Sequence, residues 1–246
     1  MLILAIDTSG KQGGITLAEG GAAGFRVLES SAIEGGTFSA QLIPTFAALL
    51  LKHGFTAKDV DGFAAASGPG SFTGLRVGLS AIKGLAEVLG KPIATVSLLE
   101  ALVTSSYERG VVAAALDAGR KEVYFGLYDF SRGQPFLISE QLLSRDELPS
   151  EITRAKPVRL VTSDHAIAEF IMSDAASHDH EMQHLPIQEV TRPGSEMIAR
   201  IGLHKLLEGD TVAVEALDAN YIRRSDAEIF AKPQKAAMQK NKQEKQ

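Results

Sequence analysis

The chain has no cysteine among its 246 residues. Disulfides, thiolate metal sites and cysteine nucleophiles are therefore excluded. No apolar run reaches the length of a membrane span. The opening residues, Met1-Leu-Ile-Leu-Ala-Ile-Asp7, lack the basic region and cleavage site of a signal peptide and read as a first strand. A cytoplasmic protein without membrane contact is expected. Positive charge is also short, with 25 Lys and Arg against 30 Asp and Glu, a formal net charge of −5. The last sixteen residues hold five lysines against one glutamate, which leaves −9 for the rest of the chain. An acidic body is a poor electrostatic match for nucleic acid. The Lys/Gln-rich tail, 231–246, has little to bury and is expected to be disordered, serving solubility or a weak contact to an anionic partner.

What is present is a run of short strands and apolar helices. Leu2–Ile6 reads as a strand buried on both faces, ending in Asp7-Thr8-Ser9. Gly14–Ala18 and about 22–30 follow across glycine turns, which predicts an antiparallel meander. Later, Val111–Leu116 is again an apolar strand ending in an aspartate, Asp117, followed by a polar turn and a returning strand at Val123–Phe130. A strand at Gln134–Glu140 comes next. The pattern occurs twice without residue identity, so two equivalent lobes are expected: 1–109, and 110–230 with a late helix packing back on the first lobe. That late helix is expected at Ser195–Leu207, capped by Ser195. The fold class is α/β with mixed sheets flanked by helices.

The stretch Ser67-Gly-Pro-Gly-Ser-Phe-Thr-Gly-Leu-Arg-Val-Gly78 joins an apolar strand to a long helix. Gly68, Pro69 and Gly70 must form the joint, and Ser71 or Thr73 can cap the helix. Such a joint is either a tight turn alone or an anion site, because unpaired N–H groups converge at the helix start. It matches neither the Walker nor the dinucleotide pattern. Asp7 is likewise either metal-facing or bonded to its own turn.

Two helices carry more apolar surface than one sheet face needs. In the first, about 37–53, Leu42 to Leu51 is interrupted by Thr45 and the helix breaker Pro44. In the second, 74–89, one stripe is Leu75, Leu79, Ile82, Ala86 and Leu89, and another is Val77, Ala81, Leu85 and Val88. A third helix is expected from Ser97 to about Arg109. His178, His180 and His184 lie near Asp174, Asp179 and Glu181; the run reads as a solvated loop, with a metal role the minority alternative.

Ile3–Ser9, Gly68–Gly78, Asp117-Ala with Glu122-Val-Tyr, and Tyr221-Ile-Arg together resemble the TsaB family, over residues 1 to about 230. The resemblance implies the two-lobed fold of actin, Hsp70 and sugar kinases. It implies a non-catalytic subunit that binds the catalytic TsaD subunit and, through it, the TsaE ATPase. The assembly transfers threonylcarbamoyl to N6 of adenosine 37 in tRNAs reading codons that begin with A, so contact with tRNA is indirect. ATP and metal would be carried by the partner. Where TsaD has a metal-binding His-x-x-x-His, the matching positions here are Leu98 and Leu102, which cannot ligate. No cofactor, metal or catalytic residue of its own is expected. The partner contact implied involves Leu42, Ile43, Phe46, Leu50, Leu75, Leu79 and Ile82, with a homodimer through the same face when alone. A vestigial nucleotide site would use Asp7, Thr8, Gly68, Gly70, Ser71 and Asp117. Two departures, Gly119 before Arg120 and no histidine near Phe38, weaken that nucleotide expectation. The rival reading is an ATP-hydrolysing or phosphotransferase enzyme acting alone through those residues. The metalloprotease suggested by older family names is not expected, on the reading that no His-Glu-x-x-His or comparable ligand set is present.

Overall fold

Leu2–Asp7 (β1) is buried at all six positions, which suits only a strand with neighbours on both edges and cover on both faces. The computed structural model describes residues 1–21, 24–34, 36–106, 109–178, 184–220 and 222. β1 pairs antiparallel with Gln12–Gly21 (β2) and parallel with Gly62–Gly68 (β4). Gly24–Glu34 (β3) lies outside β2 and Ile93–Ser97 (β5) outside β4, giving the order β3-β2-β1-β4-β5. A second sheet repeats this plan. Val111–Gly119 (β6) pairs antiparallel with Glu122–Asp129 (β7) and parallel with Arg159–Thr162 (β9). Phe136–Ser144 (β8) and Ile187–Glu189 (β10) form its edges.

The helices complete the duplication. Phe38–Lys52 (α1), Phe72–Leu89 (α2) and Leu98–Thr104 (α3) punctuate the first half. Leu148–Ala155 (α4), His165–His178 (α5) and Ser195–Glu208 (α6) punctuate the second in the same order. Three strands, a helix, a strand, a helix, a strand and a helix occur twice. This is the expected two-lobed α/β architecture of the actin and sugar-kinase type. One core lies between α1–α2 and the first sheet, and another between α4–α5 and the second. The third core lies between the sheets, where α3 and α6 cross over: α3 packs on the second sheet and α6 on the first. The α6 crossing is close, since a Cβ on Gly202 would sit 2.3 Å from that of Ala64. None of the described helices is long and apolar enough to cross a membrane.

Several boundaries differ from the sequence expectation. α3 stops at Thr104 and not near Arg109; the Ser105 and Ser106 hydroxyls bond back to the Ala101 and Val103 carbonyls instead. β3 runs on to Glu34, and β8 to Ser144. Ser195 is the first residue of α6 and does not cap it; its hydroxyl is spent on Thr16 Oγ1 at 2.8 Å. The three-residue β10 was not expected, because so short a strand is defined by its pairing with β9 and not by a pattern. The expectations for Tyr221 and for the tail 231–246 lie outside the described residues.

Candidate functional site

The glycine-rich joint and the turn after β1 are one packed unit. The Ser71 N–H donates to the Ser9 carbonyl at 2.7 Å, and the Gly74 N–H donates to Ser71 Oγ at 3.2 Å, so Ser71 caps α2. The Gly68–Pro69 peptide is cis. Three glycines of this string are there for space, whereas Gly68 has φ 122°, a backbone conformation open to glycine. A Cβ on Gly70 would lie 2.4 Å from the Ser9 carbonyl oxygen, one on Gly74 2.0 Å from that of Thr8, and one on Gly78 2.3 Å from Thr8 Oγ1. Five of the six nucleotide-site candidates, Asp7, Thr8, Gly68, Gly70 and Ser71, therefore meet in one place. Two helix-start N–H groups that an anion would use are committed to protein oxygens.

Asp7 is buried, and its Oδ1 accepts the Ser9 N–H at 2.8 Å, the local turn bond of an aspartate. Burial pushes its carboxyl above the ordinary range, while the bonds from Ser9 and the Arg192 guanidinium pull it down. With the folded pKa raised, the unfolded chain ionises first as pH rises. Stability then falls from the ordinary carboxylate range up to the raised value. Asp7→Asn keeps an acceptor for Ser9 and removes the charge. It is expected to leave the urea midpoint at pH 7 equal or higher and to flatten that acid-range slope; a clearly lower midpoint would mean that the charge itself is used.

Asp117 is not part of this unit. It lies near the end of β6, the central strand of the second sheet, two residues before that strand stops at Gly119, whereas Asp7 is the last residue of β1. Its side chain is partly exposed and lies 3.5 Å from Arg145 Nη2, while its N–H donates to Asp164 Oδ2 at 2.8 Å. Among the described residues no group of three or more His, Cys, Asp or Glu is placed to hold a metal. The sequence itself corrects one expectation here: His180-Glu-Met-Gln-His184 does have the His-Glu-x-x-His spacing. That motif needs both histidines on one helix. Residues 179–183 lie outside the described residues, α5 is described as far as His178, and His184 is the next residue described.

The α1–α2 face corrects the interface residues. Leu42, Phe46, Leu50, Leu75, Leu79 and Ile82 are all buried in the core against the first sheet. Of the seven, Ile43 alone is exposed, at 47%. The two stripes on α2 divide the work: Leu75, Leu79, Ile82 and Ala86 face inward beside Gly74 and Gly78, which touch Thr8. Val77, Ala81 and Leu85 are partly buried at the edge of the core, and Val88 is exposed. On α1, Ile43, Ala47 and Leu51 are exposed. Leu51 and Val88 reach 81% and 85% exposure, high for such side chains. The glycines were the available signal, because the stripe flanked by close-packing glycines is the inner one.

Gly84 lies on this outer side with nothing within 4 Å of where a Cβ would be. Gly84→Ala is expected to stabilise the isolated chain by about 0.5–1 kcal/mol through helix propensity. A denaturant midpoint measures this, and a loss of stability would show that the site is not open.

With this geometry in place, relatives give it context. The family model described as "TsaD: tRNA N6-adenosine threonylcarbamoyltransferase" matches residues 35–144, which include α1 and α2. The "tRNA threonylcarbamoyladenosine biosynthesis protein TsaB" of Bacillus subtilis is 28% identical over 235 residues, 93% of this chain and 96% of that protein. Its namesake in Escherichia coli is 27% identical over 92% of this chain and 96% of its own length. The solved structure of YeaZ from Pseudomonas aeruginosa superposes with a TM-score of 0.66 at 26% identity, covering 89% of this chain and 99% of that one.

Proposed function

We propose, from the premise that the chain is TsaB-like over nearly its whole length, that it takes part in making threonylcarbamoyladenosine in tRNA. Its role is that of a non-catalytic subunit that binds a TsaD-type transferase and, through it, the TsaE ATPase. As part of a tRNA-modifying assembly it would work in the cytoplasm and meet tRNA only through its partner.

The observation that carries this reading is the outer face of α1 and α2. Ile43, Leu51 and Val88 expose hydrocarbon on two adjacent helices whose inner faces are already satisfied, and Val77, Ala81 and Leu85 at the edge of the core are only partly covered. Both helices fall within the stretch matched by the TsaD family model. A partner of that family would carry equivalent helices, and like helices can pair about a pseudo-twofold axis. The same face would form a homodimer when no partner is present. Two further features support a subunit without chemistry of its own. The joint is closed on the turn after β1, and Leu98 and Leu102 are fully buried in the core between the sheets.

The test is co-purification of the full chain with the TsaD of the same host, followed by threonylcarbamoyl transfer to tRNA with and without it. A stoichiometric complex and transfer that depends on the chain are expected. No complex, together with ATP hydrolysis by the isolated chain that Asp7→Ala abolishes, would establish the rival enzyme instead.

A further inference from the structure

One carboxylate in the second sheet gathers donors from three separate parts of the chain. Glu140 lies on β8, opposite Gly126 of β7. Its Oε1 accepts from the Ser97 hydroxyl and from the Tyr128 hydroxyl. Its Oε2 accepts from Asn220 Nδ2 at 2.6 Å. Ser97 ends β5 in the first sheet and caps α3, its Oγ accepting the Leu99 N–H at 3.2 Å. Tyr128 is on β7 and is buried. Asn220 belongs to the segment that follows α6. Beside this cluster, Glu100 of α3 is paired with Lys205 of α6 at 2.8 Å, and the Lys205 ammonium also donates to the Thr95 carbonyl at 3.1 Å. The neighbouring carboxylate is thus already matched, which leaves Glu140 to its three neutral donors.

The segment carrying Asn220 runs over the first lobe as a strap. It starts where the Val212 N–H donates to the Ile93 carbonyl, at the beginning of β5. It passes α2, where Lys83 Nζ reaches the Glu215 carbonyl, and buries Leu217 and Ala219 in the core beneath α2. It ends with the Asn220 N–H donating to the Ser67 carbonyl at 2.8 Å, directly before the glycine-rich joint. A Cβ on Gly68 would lie 3.3 Å from the Asn220 carbonyl oxygen, so the strap rests on the joint.

We propose that Glu140 is a latch. By holding Ser97 and Asn220 on one β8 side chain, it ties the second sheet to the first and clamps the strap 212–220 over the end of β4 from which the joint springs. Glu140 is a positioning residue: it contributes nothing to the α1–α2 face and acts on the joint through Asn220. Losing the latch frees the strap end first, because Leu217 and Ala219 remain packed.

Hydrogen exchange of the full chain tests this at the amide of residue 220, whose bond to Ser67 reports whether the strap is seated. Asn220→Asp sets two carboxylates against each other where an amide met a carboxylate. Exchange at that amide is expected to rise about tenfold or more, with the global unfolding midpoint nearly unchanged. Combining Glu140→Gln with Asn220→Asp restores an amide–carboxylate pair in the opposite sense and is expected to return exchange towards the original rate. A merely structural loss at position 220 would not be rescued from position 140. If Asn220→Asp does not fold, Asn220→Ala removes the donor without adding charge and reads the same amide. Unchanged exchange in either single variant, or a double variant no slower than Asn220→Asp, would overturn the latch.

Discussion

Replacing Ile43 and Val88 together by aspartate is expected to weaken binding to a TsaD-type partner at least about a hundredfold, with the folded chain as stable as before. Both side chains are largely exposed, on the outer sides of α1 and α2. Exposed substitutions usually change stability by no more than about 0.5 kcal/mol. Burying an unpaired carboxylate in an apolar contact is costly, and two central positions together carry on the order of 4 kcal/mol when they are hot spots. Titration of the variant against the partner by calorimetry reads the loss. Phe136→Asp is the control, an equally severe change at an exposed apolar residue on β8. Unchanged affinity in the double variant would remove α1 and α2 from the interface. Leu75 and Leu79 cannot serve this test, since either truncated to alanine would cost about 2–5 kcal/mol of the fold itself.

Gly74→Ala is expected to destabilise the chain by about 3 kcal/mol or more, the upper end of overpacking costs. The added Cβ would stand 2.0 Å from the Thr8 carbonyl oxygen, and that oxygen is backbone, so a rotamer change cannot relieve the overlap. Either the turn after β1 lifts from α2, breaking the Ser71 to Ser9 bond, or α2 shifts on the sheet. Gly84→Ala is the same chemical change ten residues along the same helix, with the opposite expected sign. Urea midpoints of the two variants at equal slope isolate the contact from helix propensity. A cost below about 1 kcal/mol at Gly74 would mean that the turn and the helix are not in register.

The corrected interface residues show where pattern reading stops. Both stripes of α2 were legible, because apolar residues three and four apart must share a face. Which stripe faces the sheet was not, since the residue types on the two differ little. The decision came from Thr8, sixty-six residues before Gly74, pressing on the glycine side of the helix. The nucleotide-site candidates divided for a similar reason. Five of them lie on two segments that pack together, whereas Asp117 shares only its topological position with Asp7. The Glu140 latch left no trace in sequence at all. Its partners stand 43, 12 and 80 residues away, and no spacing rule connects them.

The sequence by itself determined the strand and helix order of the first half, the repeated strand–turn–strand pattern, the position of the glycine-rich joint and the excess of apolar helix surface. These are local properties, set by side-chain periodicity and by glycine and proline at the turns. Only the tertiary structure decided that α3 and α6 exchange sheets, that the joint is filled by its own neighbouring turn, and which apolar residues remain outside. Those outcomes depend on contacts between segments distant in the chain. Such contacts are fixed by close packing and by the pairing of buried polar groups, and neither is encoded in the spacing of residues along one element.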